Sequence, residues 1–526
     1  MSRTRKAAIT AGFAYAQFGL AIVTGVVLVP LTLYYLGART WGLWLATGEL
    51  LGYAGMADLG VLGVLPWLIA EADGRQDRQT MRRLVGHGAY IGCGIAVVYA
   101  GVAAVLWITL PSALRFTAAD RLLVGAPFAL LVAANALSHP FRVFRAAISG
   151  LQDAFFNGVL SILHSILTVA TTITLLVNGY GLYALAVAAG VPPFITFAIS
   201  IVRLRMIAPD VMSGWTRPTF AEARHLLTNG TGVWLAALGW QMLAATNAIV
   251  ITYIGHPEWV PIYSCTAKLS LMTTQLAWVT PDSALVGLAQ LYGERQPVER
   301  VRQVVLMLLR LHLLMSGATL CGLLAFNPAF VTRWVGAPFF GGLALNALVA
   351  AGVVIYSLAH AFATTASVLG NRLHVGVAGI VNGVAQLMLA VVLGHRFGLN
   401  GVAAAGLLAS LATAIPAGAW LLRLAVGVTV RHLTRDLIGP WLARSALLIV
   451  FAAIAGMFHQ SLGVALSAAL ATAISLAYVW NMRPLYVGLP LDAWMVGWLV
   501  RVRLMPPPNV APGAPSAPAT AALDRV

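Results

Sequence analysis

The chain has 526 residues, 60% hydrophobic and only 9% charged, with a mean hydropathy of +0.87. A water-soluble globule cannot cover that much apolar side chain, because every folded chain exposes a surface, so soluble enzymes, disordered scaffolds and disulfide-built secreted domains are excluded and lipid is the solvent over most of the length. The formal charge of +16 is carried almost wholly by arginines in short clusters between apolar runs, which points to membrane topology rather than to nucleic acid.

Stretches without Asp, Glu, Lys or Arg mark the spans. Residues 7–38, 84–114, 122–141, 225–257, 311–332, 373–395 and 397–422 each hold one, and 154–202 holds two around the turn Asn178-Gly179-Tyr180-Gly181. Residues 334–371 hold one more, and 445–482 holds two, parted near His459–Gly463. Two further spans contain ionisable groups: about 41–70, with Glu49 and Asp58, and about 260–290, with Lys268 and Asp282. The expectation is an all-α polytopic membrane protein of about fourteen transmembrane helices. Met1–Lys6 and the long apolar run after it read as an uncleaved first helix rather than a signal peptide.

Fourteen spans put both termini on one side. On that map Arg39, Arg115, Arg121, Arg333 and Arg396 face outside, and Lys268, Arg310 and Arg444 lie at or near membrane depth. Every other Lys and Arg, including Arg142 and Arg145, falls on the inner side, the asymmetry expected of an N-in, C-in protein. Residues 488–503 have the pattern of a helix lying at the inner interface, and the Pro/Ala-rich segment from 506 is expected to be disordered. Cys93, Cys265 and Cys321 stand apart inside apolar runs, so no disulfide framework or metal site is suggested.

An internal repeat is visible. Tyr35-Leu36-Gly37 with Trp41 returns as Tyr253-Ile254-Gly255 with Trp259, and Gly74-Arg75-Gln76 resembles Gly293-Glu294-Arg295-Gln296. Both matches fall at equivalent topological points six spans apart, so the copies point the same way and imply two parallel six-helix halves. The expected organisation is 1–202 and 229–422 for the halves, 203–228 and 423–439 for inner loops, 440–482 for two extra helices, 483–505 for the interfacial helix and 506–526 for the tail.

The N-terminal region carries a family likeness. Leu28-Val29-Pro30-Leu31, Tyr35-Leu36-Gly37-Ala38, Trp41-Gly42-Leu43-Trp44, Asp58-Leu59-Gly60 and Ala70-Glu71-Ala72 stand in order, followed by Arg145–Gln152. Together they resemble bacterial polysaccharide transporters of the O-antigen flippase type, within the multidrug/oligosaccharidyl-lipid/polysaccharide exporter superfamily. One departure is Trp67, nine residues after Asp58, where many relatives carry an arginine. The extra helix pair resembles that of the related lipid II flippase by helix count. The resemblance implies a monomeric transporter of the bacterial cytoplasmic membrane. It would flip a polyprenyl-diphosphate-linked oligosaccharide to the outer leaflet by alternating access, without catalytic residues, cofactor or nucleic acid, with coupling to protons or sodium ions.

Ionisable groups at membrane depth are expensive and default to function. Lys268 stands out because Lys6 is the chain's only other lysine, and the repeat sets it opposite Leu50, next to Glu49. It is the expected diphosphate contact, with Gln17, Gln241 and Asn247 as candidates along the sugar path. Asp58, Glu49 and Asp282 are the candidate coupling or gating carboxylates, each against the plainer reading of a helix-packing group. His164 and His360 read as packing residues that can titrate near neutral pH. Two other functions compete: an ion-coupled multidrug or organic-cation antiporter of the same superfamily, and a membrane-embedded polysaccharide-synthesis enzyme. The cation at 268 argues against the first, and the lack of a catalytic loop with paired carboxylates or a phosphate-binding motif argues against the second.

Overall fold

The computed structural model describes residues 3–486 apart from 114–115, 152, 284, 286–287, 289–290 and 293–296. The interfacial helix expected at 483–505 lies outside the described residues beyond 486, as do the expected tail, Arg115 and Arg295. Among the described residues every regular element is helical.

The chain opens with α1 (Arg3–Gly55) and continues through α2 (Val61–Gly74), α3 (Arg78–Ala113), α4 (Ala118–Gly150), α5 (Ala154–Val177) and α6 (Leu182–Ile207). After a short connection come α7 (Phe220–Tyr253), α8 (Trp259–Ser283), α9 (Val298–Trp334), α10 (Gly342–Val368), α11 (Arg372–Ala409) and α12 (Ile415–Val426). The last elements are α13 (Gly439–Met457), α14 (His459–Asn481) and the single turn α15 (Arg483–Tyr486).

Ten helices among the described residues are long and apolar enough to cross a bilayer. Two of these apolar stretches are of double length, 43 residues from Ala16 to Asp58 and 54 from Leu373 to Val426. Straight helices of that length would reach about 65 and 80 Å, against a hydrocarbon core of about 30 Å. Each is divided at a glycine with non-helical backbone, Gly37 at φ 75° and Gly398 at φ 57°, a conformation that side chains with a β-carbon resist.

Helix starts follow local chemistry. Thr117 and Asp120 form a reciprocal capping box at α4, and Thr219 and Glu222 form another at α7. Asp153 caps α5 through Phe156 N and also accepts from Arg203 at 2.8 Å, tying α5 to α6. Pro30 inside α1 cannot donate to the Val26 carbonyl one turn earlier. The indole of Trp334 donates to that carbonyl instead, at 2.7 Å, so the freed acceptor is satisfied by α9.

In the first set of helices α1 packs on α5, α3 on α4, and α4 on α6; in the second, α7 packs on α11 and α9 on α10. Helices α1 and α2 meet α7 and α8 between the sets. At one end, Arg39 bridges Asp120 at 2.9 Å and Glu258 at 3.8 Å. At the other, Trp234 donates to the Met56 carbonyl at 2.7 Å, beside a backbone contact of Gly60 with Gly230. Helices α13 and α14 lie on α9, where Trp441 donates to the Tyr478 hydroxyl at 2.7 Å and Tyr478 donates to the Leu313 carbonyl at 3.2 Å. Gly317 leaves the room for this, since a β-carbon there would sit 2.1 Å from the Tyr478 oxygen.

Charge clusters end hydropathy runs without ending the backbone helix, and this accounts for the differences from the sequence-based boundaries. Arg142 and Arg145, assigned to an inner loop, lie within α4, which continues to Gly150. The loop expected at 423–439 is mostly helical, because a π-helical turn over His432–Ile438 runs directly into α13. The linker expected at 203–228 narrows to the stretch between α6 and α7. Asp58 does not sit midway along a continuous helix: Met56–Asp58 is a 3-10 turn, followed by Leu59 at φ 47° and Gly60 at φ 78°.

Candidate functional site

A cavity of about 310 Å³ lies between α1 and the second set of helices. Trp41, Leu45 and Glu49 of α1 line one side; Asn247 of α7 and Lys268 of α8 line the other. Three of the residues singled out from the sequence, Glu49, Asn247 and Lys268, therefore share one chamber.

Lys268 enters this chamber because α1 offers Gly25 opposite it. A β-carbon at Gly25 would stand 3.2 Å from the lysine Cε and 3.6 Å from Nζ. Glu49 and Lys268 line the same cavity without forming an ion pair within 4.0 Å. The ammonium thus keeps its hydrogen-bonding capacity for an anion, and the carboxylate keeps its own for a cation. Asn247 is held by its neighbours, donating to the Tyr263 hydroxyl at 2.8 Å and accepting from Gln386 at 3.3 Å.

The other singled-out residues lie elsewhere. Gln17 is exposed on the first part of α1, and Gln241 packs against Gly52, where a β-carbon would meet its Nε2 at 2.1 Å. Neither lines the cavity. Asp58 occupies the break between α1 and α2, where its Oδ1 accepts from the Gly60 N–H at 3.1 Å. It also lies within electrostatic reach of Arg142 and His139 on α4.

Arg142 and Arg145 line a second, basic pocket of about 290 Å³ with His164, and Arg145 donates to Ser161 at 2.6 Å. The sequence carried a signal for them, because residues three apart share a helix face. It was hidden by placing both arginines in a loop.

Asp282 has a different setting from a lone gating carboxylate. It faces two histidines, His360 at 2.9 Å and His312 at 3.6 Å, from α10 and α9. His360 was known from the sequence only as an isolated ring and His312 was not singled out at all. Their separations along the chain carry no motif, so only the packing of α8, α9 and α10 reveals the group.

The fold has known counterparts. The inward-closed lipid II flippase MurJ aligns over 90% of this chain and 99% of its own, at 12% identity and a TM-score of 0.64. The fold is that of MATE and MurJ transporters. An inward-facing multidrug resistance MATE family transporter of the MOP superfamily aligns over 78% of this chain and 94% of its own, at 17% identity and a TM-score of 0.62. A superfamily transporter from Pyrococcus furiosus, described with a binding pocket of reversed polarity, aligns over 80% and 96%, at 16% identity and a TM-score of 0.57. No family profile matches the sequence, and no curated protein matches it.

Proposed function

We propose that this chain is a transporter of the bacterial cytoplasmic membrane that flips a polyprenyl-diphosphate-linked oligosaccharide from the inner to the outer leaflet. The observation that carries this reading is Lys268, which lines a chamber between two sets of helices with no ion-pair partner among the described residues. A buried cation costs roughly 2.5–3.5 kcal/mol on insertion scales, so a ligand of opposite charge is the expected counterpart. A diphosphate suits a compact ammonium point charge. On this reading Asn247, which lines the same chamber, meets sugar hydroxyls with the hydrogen-bonding capacity left beside Tyr263 and Gln386, while the polyprenyl tail stays in lipid.

Alternating access follows from the two ends. Opening at the Gly60–Gly230 contact admits the head group from the inner leaflet, and opening at Arg39 releases it outside. The halves are those expected from the repeat, residues 1–202 and 229–422, and the chain works as a monomer. Asp58 and Glu49 are the gating carboxylates, with protons or sodium ions as the coupling species. The mechanism uses no catalytic residue and no cofactor.

The test is a proteoliposome assay with a fluorescent polyprenyl-diphosphate glycan. Lys268→Ala abolishes flipping at unchanged membrane abundance, and Lys268→Arg retains part of it, since the charge stays but its geometry changes. Normal flipping by Lys268→Ala, or recovery in Lys268→Ala/Glu49→Ala, makes the lysine a structural partner and overturns the reading.

A second reading rests on Glu49, which gives the same chamber an anionic wall. It is supported by the likeness to MATE multidrug transporters and by the reversed pocket polarity described for the Pyrococcus furiosus protein, since one fold hosts sites of either sign. On this reading the chain exchanges an organic cation for an ion. Ethidium efflux abolished by Glu49→Gln and preserved in Lys268→Ala selects it over the flippase.

A further inference from the structure

We propose that Asp282, His312 and His360 form a binding site for one divalent transition-metal ion of the zinc class. One ligand atom from each lies within 4.8 Å of the others, on the three adjacent helices α8, α9 and α10.

The tautomer of His312 makes the argument. Its Nδ1 lies 2.9 Å from the Leu308 carbonyl oxygen, which can only accept, so Nδ1 carries a proton and, in the neutral ring, Nε2 carries a lone pair. The His312 side chain is fully buried, and its Nε2 finds no hydrogen-bond donor. Facing it at 3.6 Å is Asp282 Oδ1, also buried and also without a donor. Two lone pairs opposed in a buried space repel unless a cation lies between them. The spacing suits a metal: ligands held at about 2.0–2.2 Å around a tetrahedral ion stand roughly 3.3–3.6 Å apart. His360 Nε2 donates to Asp282 Oδ2 at 2.9 Å in the ion-free protein, and an ion that displaces this proton gains the nitrogen as its third ligand.

The surroundings match what a metal site requires. The Leu308 carbonyl fixes one imidazole, and the Trp278 ring stacks on the other at 3.9 Å with an interplanar angle of 3°. Trp278 is itself anchored to Ser357 at 2.9 Å. One third of the Asp282 side chain remains exposed, leaving a fourth position open to water. Two imidazole nitrogens with one carboxylate select zinc, cobalt or nickel over sodium or magnesium, which prefer oxygen. Sodium coupling at Asp282 is therefore disfavoured by its own neighbours.

The site has a direct line to the main chamber. Trp278 forms part of that chamber's wall and rests on His360. A bound ion pins α8 to α9 and α10 and fixes this part of the wall. The proposal stands independently of the transported substrate.

The test uses the purified, full-length protein in detergent without affinity-tag histidines, titrated with Co²⁺ alone. The expected result is the ligand-field absorption of a four-coordinate ion, saturating at one equivalent and displaced by Zn²⁺. His360→Gln and Asp282→Asn each weaken Co²⁺ binding at least about tenfold while helical circular dichroism is retained, and His459→Gln leaves the affinity unchanged. Because His312 is wholly buried, the two more exposed ligands serve as the variants. Absence of the absorption, or equal affinity in the His360→Gln/Asp282→Asn double variant, overturns the site and leaves a proton between Asp282 and His312.

Discussion

Gly230 on α7 approaches Gly60 so closely that a β-carbon built on Gly60 would stand 2.3 Å from the Gly230 carbonyl oxygen. The contact is reciprocal, since a β-carbon on Gly230 would lie 2.6 Å from the Leu59 carbonyl oxygen. Gly60 is fixed twice over, because its φ of 78° already disfavours any other residue, whereas Gly230 is helical and open to a purely steric test. Gly230→Ala wedges α7 away from the turn between α1 and α2. Thiol labelling of Ala57→Cys is expected to quicken several-fold in the Gly230→Ala background. The overpacking lowers stability by about 1–3 kcal/mol. Equal labelling rates in both backgrounds would show that the halves part elsewhere.

Asp58 allows charge to be separated from hydrogen bonding. Asparagine at 58 keeps an oxygen to accept from the Gly60 N–H but loses the charge that faces Arg142. If the turn alone matters, Asp58→Asn is silent. We expect instead that it lowers transport far more than it lowers the amount of folded protein, and that Arg142→Gln has the same effect. Parallel losses of transport and abundance would mark the residue as a packing group.

Arg39 is half-exposed while its partner Asp120 is nearly buried and also belongs to the cap of α4. Asp120 keeps its hydrogen bonds from the Thr117 N–H and hydroxyl when the guanidinium is removed, so Arg39→Gln should lower the melting temperature by only a few degrees. The same change frees Glu258 and so should alter transport rate. A large fall in melting temperature without a change in rate would reverse this assignment.

The topology inferred from charge places Arg78, Arg217 and Arg300 inside, and Arg115 with the Asn178–Gly181 turn outside. Single cysteines at 217 and 180 in intact cells should label only after permeabilisation and before it, respectively. Outside labelling at 217 would dismantle the span map.

Much of the helical fold was readable from the chain because lipid enforces a simple rule: long apolar runs become helices. The breaks at Gly37 and Gly398 were legible to within about two residues, because Arg39 and Arg396 end the apolar runs beside them. The disruption at Met56–Gly60 was not, since it comes from left-handed backbone at Leu59 and Gly60 and from the close passage of α7. The shared chamber of Glu49 and Lys268 was anticipated through the repeat. Gln17 and Gln241 fell away from it because polarity alone does not give a helix rotation. The Asp282–His312–His360 group required three helices to be packed before it existed, and nothing in the spacing of its members announces it.

The bare face of α9 at Gly317 has a consequence for biogenesis. Tyr478 fills that notch from the second-last element of the described chain, so the notch stays empty until the chain has been made through α14. A nascent or prematurely terminated chain ending before α13 therefore presents a helix with an unfilled notch to its membrane neighbours. Such a chain also lacks the Trp441–Tyr478 hydrogen bond that holds the notch closed in the folded protein.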